Sequence, residues 1–438
     1  MAISVATSRA ESVYDGTSYP GALVVVSSLF FMWGFCTVLN DALIPHLQAI
    51  FALNYLQASL VQLAFFGSYF LFAQPASRII EWIGYQRTMV VGLFTMAAGA
   101  LLFLPAASTA KYALFLSAQV VLAAGVTILQ VAANPYVTIL GSPETASSRL
   151  NLTQAFNTLG DAVAPYIGSV LILGRATAGD ATSQRVSAAA HRIREAASVK
   201  LPYIGIAVIL LVLAATIALY KFPRLAVTQD FRPGAAMSDS TDSIWNHPHV
   251  WLGALAIFIY VGAEVSIGSF LAKFISGPTI GAMRLEAAAK LVTVYWGGMM
   301  VGRFAGSAIM QRVAPNRLLT LMGVGAAAMV FLALCTNGHV AMWSILAVGL
   351  FNSIMFPTIF TLGVSEMGEM TGQASGLLVQ AIVGGAAFPV LMGHLADSYG
   401  IHRALVLPLL CYFFVIYYGM AGFRIYPTEN QSHVEPAR

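Results

Sequence analysis

Apolar stretches long enough to cross a lipid bilayer recur along the whole chain, at residues 22–50, 57–83, 86–107, 111–140, 148–174 and 199–222, and again at 247–275, 286–313, 316–337, 339–367, 371–396 and 400–426. A hydrocarbon core about 30 Å thick takes roughly 20 residues of helix to span. Inside it every backbone N–H and C=O must be bonded within the segment or to a neighbouring one. The pattern therefore predicts an all-α membrane protein with twelve transmembrane helices. Composition agrees: 58% of the residues are hydrophobic and only 9% charged, against about 25% charged in soluble domains. No aqueous fold could bury that much apolar surface. Cys36, Cys335 and Cys411 stand alone without CxxC or CxxH spacing, which argues against a structural disulfide or zinc site. No nucleophile, base and orienting group stand at a plausible spacing, so enzymatic chemistry has no support. The net charge of +4 reports topology rather than affinity for nucleic acid.

Residues 1–21 are polar and lack the apolar core of a signal peptide; they read as a tail. Residues 22–222 form a first six-helix bundle, 223–246 a polar linker rich in Pro, Gly and Ser, 247–426 a second six-helix bundle, and 427–438 a second tail. The bundles repeat one another. "FFGSYFLFAQPASRIIEWIGYQRTMVVG" matches "YWGGMMVGRFAGSAIMQRVAPNRLLTLMG", with Ser77 over Ser307 and Arg87 over Arg317. "ANPYVTILG" matches "MFPTIFTLG", pairing Pro135 with Pro357, and Gln154 falls near Gln380. A parallel repeat of half the chain, its halves related by an axis normal to the membrane, resembles the architecture of the major facilitator superfamily. Lys and Arg favour the tail side once the 175–200 loop, with its five basic residues, is set aside. By the positive-inside rule both termini are expected in the cytoplasm.

Polar side chains inside these spans are the candidate site. "LNDALIPHLQ" puts Asn40 and Asp41 in the first span, where a charge at the centre costs roughly 2.5 to 3.5 kcal/mol. Asp41 is either a group that takes up and releases a proton or a cation, or one that lies near the outer interface or is tied up structurally by Asn40 or Arg303. In the fourth span Gln130 and Asn134 stand at i and i+4; in the fifth, Gln154, Asn157 and Asp161 stand at i, i+3 and i+7. Each set shares one helical face. Amides carry paired donors and acceptors suited to the vicinal hydroxyls of a sugar, although they also serve as glue between membrane helices. In the second half Glu264 and Arg303 are the charged candidates. Tyr295, Trp296, Asn352 and Gln380 could line the same cavity, the aromatics by stacking on a pyranose ring, with plain packing the alternative for Trp296.

Four motifs, "FFMWGFCTVLNDALIPHLQ", "LQVAANPYVTILG", "RLNLTQAFNTLG" and "YVGAEVSIGSF", together resemble the fucose:proton symporter family of fucose and glucose/galactose permeases, and the resemblance covers essentially the whole chain. It implies that Asp41 couples substrate to cation, that Gln154 and Asn157 contact sugar, and that Arg303 is the family's eighth-helix arginine. One position departs: the fucose permease type carries an acid in the fourth helix where this chain has Gln130. Asp161 is then expected to share the coupling or to help hold Na⁺, with Glu264 a further coupling candidate. The resemblance implies cation-coupled import of a monosaccharide such as glucose, galactose, fucose or a related hexose, with H⁺ ahead of Na⁺ as coupling ion. It implies no cofactor, a monomer in the lipid bilayer of the inner membrane, and a sugar as the only soluble partner. A polyspecific exporter of the same fold is the alternative, and its cavity would be more apolar.

Overall fold

The computed structural model describes residues 19–51, 55–109, 111–168, 200–223 and 243–425, with the side chains of 39–59 and 165–168 outside that description. The side chains of Asn40 and Asp41 therefore lie outside the described residues, as do most of the 223–246 linker and both tails.

All of the described regular structure is helical. The first half comprises α1 (Pro20–Phe51), α2 (Tyr55–Thr109), α3 (Tyr112–Ile139), α4 (Ala146–Gly168) and α5 (Lys200–Leu219). The second comprises α6 (Pro248–Ser276), α7 (Leu285–Ile309), α8 (Pro315–Cys335), α9 (Gly338–Asn352), α10 (Met355–Gly363), α11 (Thr371–Gln380), α12 (Gly384–Tyr399), α13 (Ile401–Ala404) and α14 (Val406–Tyr417). Nine segments of the described chain are long and apolar enough to cross a membrane. Reaching the twelve expected from sequence takes two further steps: α2 counts twice, and α4 and α7, diluted by polar residues, count as spans.

Helix α2 counts twice because it reverses direction. Its 55 residues contain one non-helical residue, Gly84, at φ 80° and ψ 170°. Up to the turn the numbering rises together with that of α3: the Ser68 hydroxyl lies against the Val120 carbonyl and, at the turn itself, Tyr85 faces Tyr136. After Gly84 it falls: Gly92 abuts Leu129 and Gly99 abuts Leu122. Two antiparallel spans thus meet at a single residue, and positive φ is the conformation that glycine adopts without penalty.

Packing between helices relies on small residues, as expected where lipid removes the hydrophobic drive for helix association. A Cβ on Gly34 of α1 would stand 2.2 Å from the Asn157 carbonyl oxygen of α4, and one on Gly160 of α4 would stand 2.2 Å from that of Phe31 of α1. The two halves meet where α4 packs on α7 and α10, and where α11 packs on α2 and α3. Polar ties mark these junctions. The Ser148 hydroxyl donates to the Ser307 carbonyl at 2.7 Å and the Ser307 hydroxyl donates back to the Ser148 carbonyl at 2.9 Å. Gln373 donates to Glu81 at 3.0 Å, and Ser147 pairs with Thr361. These ties sit near the start of α4, the ends of α7 and α10, and the start of α11, all on the side of the membrane where α1 begins.

Two prolines interrupt corresponding helices. Pro135 lies inside α3, and Pro357 follows the break between α9 and α10. Lacking an N–H, each leaves the carbonyl four residues earlier without its helical partner: Val131 in the first half, Ser353 in the second.

Candidate functional site

In the first half, four helices bring polar groups together. The Gln130 amide of α3 donates to the Tyr69 hydroxyl of α2 at 2.6 Å. Tyr69 also shares a hydrogen bond with Trp33 of α1 and feels the charge of Asp161 of α4. Asp161 is half-buried and its Oδ1 lies over the bare backbone of Gly34. Asn157 donates to the Phe30 carbonyl at 3.0 Å, fastening α4 to α1.

Three amides of this half keep hydrogen-bonding capacity unspent. Gln130, Asn134 and Gln154 are 1%, 0% and 2% exposed. Among the described residues Gln130 Oε1, Gln154 Nε2 and both amide atoms of Asn134 have no hydrogen-bond partner. A buried polar atom left unpaired costs about 1–3 kcal/mol. Four such atoms lie on two adjacent helices, and each is of a kind that a hydroxyl could satisfy, since a hydroxyl both donates and accepts.

The second half is arranged differently. Asn352, wholly buried at the end of α9, donates to the Tyr295 hydroxyl of α7 at 2.8 Å and accepts from the Tyr412 hydroxyl of α14 at 2.8 Å. Its carbonyl accepts from Tyr260 of α6 at 2.9 Å. One asparagine thus ties four helices together. Arg303 of α7 donates through Nε to the Ser353 carbonyl at 3.2 Å, and through Nη1 to the Gln154 carbonyl at 2.9 Å and to the Thr158 hydroxyl. It is a strut from the second half into the first. Glu264, half-buried one turn beyond Tyr260, lies within electrostatic range of Arg303 and Tyr260.

The residues singled out from sequence therefore divide. Gln130, Asn134 and Gln154 present unspent amide groups, and Asp161 stands beside them through Tyr69. Asn157 and Arg303 join helices, and Tyr295 and Asn352 belong to the tyrosine hub. Gln380 accepts from Gln74 at 3.1 Å and donates to the Phe70 carbonyl at 3.1 Å, bridging the halves. Trp296 packs edge-on to Tyr295 and over Gly268. Sequence reasoning passed over Tyr69, Trp33, Thr158, Tyr260 and Tyr412. Tyr260 and Thr158 carried a visible signal, standing four residues before Glu264 and four residues after Gln154, each on the same helical face as its neighbour. Among the described residues no three His, Cys, Asp or Glu side chains gather as a metal site would require.

Two helix bundles joined through polar ties around buried amides have the build of a membrane transporter. The chain belongs to the major facilitator superfamily, whose family model matches residues 23–387. It is 52% identical over 406 residues to a glucose/galactose transporter of Brucella abortus, covering 92% of this chain and 95% of that one. It is 34% identical over 422 residues to the L-fucose-proton symporter of Escherichia coli, covering 94% and 95%. A solved structure of the transporter FucP in the outward conformation superposes with a TM-score of 0.82 at 33% identity, covering 92% of this chain and 98% of that one.

Proposed function

We propose that this protein imports a monosaccharide across the inner membrane by proton-coupled symport, working by alternating access, with both tails in the cytoplasm and the chain acting as a monomer. The observation that carries the reading is the set of buried amide atoms on Gln130, Asn134 and Gln154 with no protein partner. The relatives named as glucose/galactose transporter and fucose-proton symporter support the substrate class. Identity of 52% to the former favours glucose or galactose over fucose. An exporter reading has no comparable support.

In this reading sugar hydroxyls satisfy the three amides, and Asp41 and Asp161 are the coupling groups, with Glu264 a third acid facing Arg303. The ties between halves cluster on the tail side, so that side is closed and the sugar enters from the other, in keeping with the FucP structure in its outward conformation. One charge moved through 100 mV supplies about 2.3 kcal/mol, enough for roughly 50-fold accumulation.

Proteoliposomes given radiolabelled glucose or galactose are expected to accumulate it when a pH gradient is imposed without sodium. Accumulation that requires a sodium gradient at fixed pH would overturn proton coupling, and no uptake of any hexose would overturn the function. Asp41→Asn is expected to abolish gradient-driven accumulation while sparing exchange of sugar for sugar, because the amide keeps hydrogen bonding but cannot carry a proton. Concentrative uptake at the unmodified level in that variant would remove Asp41 from the coupling. Gln154→Ala is expected to weaken sugar binding by about 1–3 kcal/mol, measured by calorimetry on purified protein.

A further inference from the structure

The repeat places Pro135 and Pro357 at equivalent positions, 222 residues apart, and so frees equivalent carbonyls, those of Val131 and Ser353. Neither is left idle. The Val131 carbonyl accepts from the Ser375 hydroxyl at 2.8 Å, and Ser375 stands on α11 in the opposite half, wholly buried. The Ser353 carbonyl accepts from Arg303 Nε, and the same guanidinium continues through Nη1 to the Gln154 carbonyl and the Thr158 hydroxyl in the opposite half. Each proline thus opens a docking point in the wall of its own helix, and in each case the chain of hydrogen bonds from that point crosses to the other bundle.

The direction of the effect follows from elementary hydrogen bonding. A helical carbonyl already paired with its N–H gains less from a second donor than one whose partner is missing, and leaving a buried carbonyl unpaired is costly. A proline-freed carbonyl therefore holds an incoming hydroxyl or guanidinium more firmly than an ordinary helix wall would. When the bundles separate on the tail side, Ser375 withdraws and Val131 is left without either partner.

We infer that Ser375 docked on the proline-freed Val131 carbonyl, seconded by Arg303, which is anchored on Ser353 and reaches across to Gln154 and Thr158, is a latch that holds the tail side closed and sets the balance between the two access states. Ser375 is a positioning residue that touches no sugar. The inference rests on the alternating-access part of the proposed function.

The test uses full-length protein in lipid without sugar, with Cys335 replaced by serine and spin labels at Arg87→Cys and Gln311→Cys, both exposed positions on the tail side of opposite halves. Electron–electron distance distributions between the labels report how much of the protein is open there. Ser375→Ala is expected to raise the ratio of open to closed protein about fivefold, the worth of one ordinary hydrogen bond. In the background of Pro135→Ala, which returns an N–H to the Val131 carbonyl, the same serine change is expected to move the ratio less than about twofold, a non-additivity that two independent sites would not show. Overturning results are an unchanged distribution in Ser375→Ala, or an equal effect of the serine change in both backgrounds. Should Pro135→Ala fail to fold, the Ser375→Ala measurement alone still decides whether the tie biases closure. A protein showing one distance under every condition, with and without sugar, would instead remove alternating access itself.

Discussion

Gly34→Ala is expected to reduce sugar uptake at least tenfold and to lower the melting temperature of the purified protein. The new methyl carbon would arrive 2.2 Å from the Asn157 carbonyl oxygen, 2.7 Å from Asn157 Nδ2 and 2.8 Å from Asp161 Oδ1. The first of these is backbone and cannot swing aside, so α1 and α4 must part. Overpacking of this kind costs typically 1–3 kcal/mol, occasionally more. Here the displaced groups are also Asp161, one of the proposed coupling acids, and the helix bearing Gln154. Uptake and sugar binding measured beside thermal unfolding would separate the two effects. Full uptake in Gly34→Ala would show that α1 and α4 do not approach this closely while the protein works.

Asn352→Ala is expected to destabilise the second half without changing the sugar affinity of the protein that remains folded. The alanine removes the acceptor of Tyr412 and the donor to Tyr295, while Tyr260 keeps its backbone carbonyl. Two buried hydroxyls losing partners amounts to about 2–6 kcal/mol at 1–3 kcal/mol each. Tyr412→Phe, which loses one bond and exchanges a hydroxyl for nothing larger, is expected to cost less. The check is thermal unfolding with binding calorimetry on the same preparations. If Asn352→Ala keeps its stability and loses sugar binding, Asn352 belongs with the sugar-facing amides after all.

What could be read before the structure follows from what the bilayer enforces. Span length, apolar content and the half-chain repeat are imposed along the sequence, and the helices α1, α3, α4, α6 and α7 lie where they were expected. The reversal at Gly84 falls where the sequence separates the spans 57–83 and 86–107, but its form was hidden, as was that of the break after Asn352: polar residues mark the end of a span without showing that one glycine makes the whole turn. Residue roles were less legible. Gln154 and Gln380 occupy related places in the repeat, yet Gln154 keeps its amide nitrogen unpaired while Gln380 is consumed between the halves. That difference depends on which neighbours arrive from distant parts of the chain, Phe70 and Gln74 in the one case, and no spacing along a single helix reveals it. Tyr69 and Tyr412 were overlooked for the same reason, since a lone tyrosine in an apolar run looks the same whether its hydroxyl anchors a hub or points at lipid.

The single-residue turn at Gly84 has its own consequence for how the protein is made. Two spans joined without slack have no linker that can adapt, so the second can settle beside the first only if this one residue makes the turn. A side chain at residue 84 would strain that turn at φ 80°, while a Cβ there would meet no neighbouring atom within 4 Å. Gly84→Val should therefore show itself at birth rather than at work, as a smaller amount of protein reaching the membrane whose surviving copies transport sugar at the normal rate per molecule.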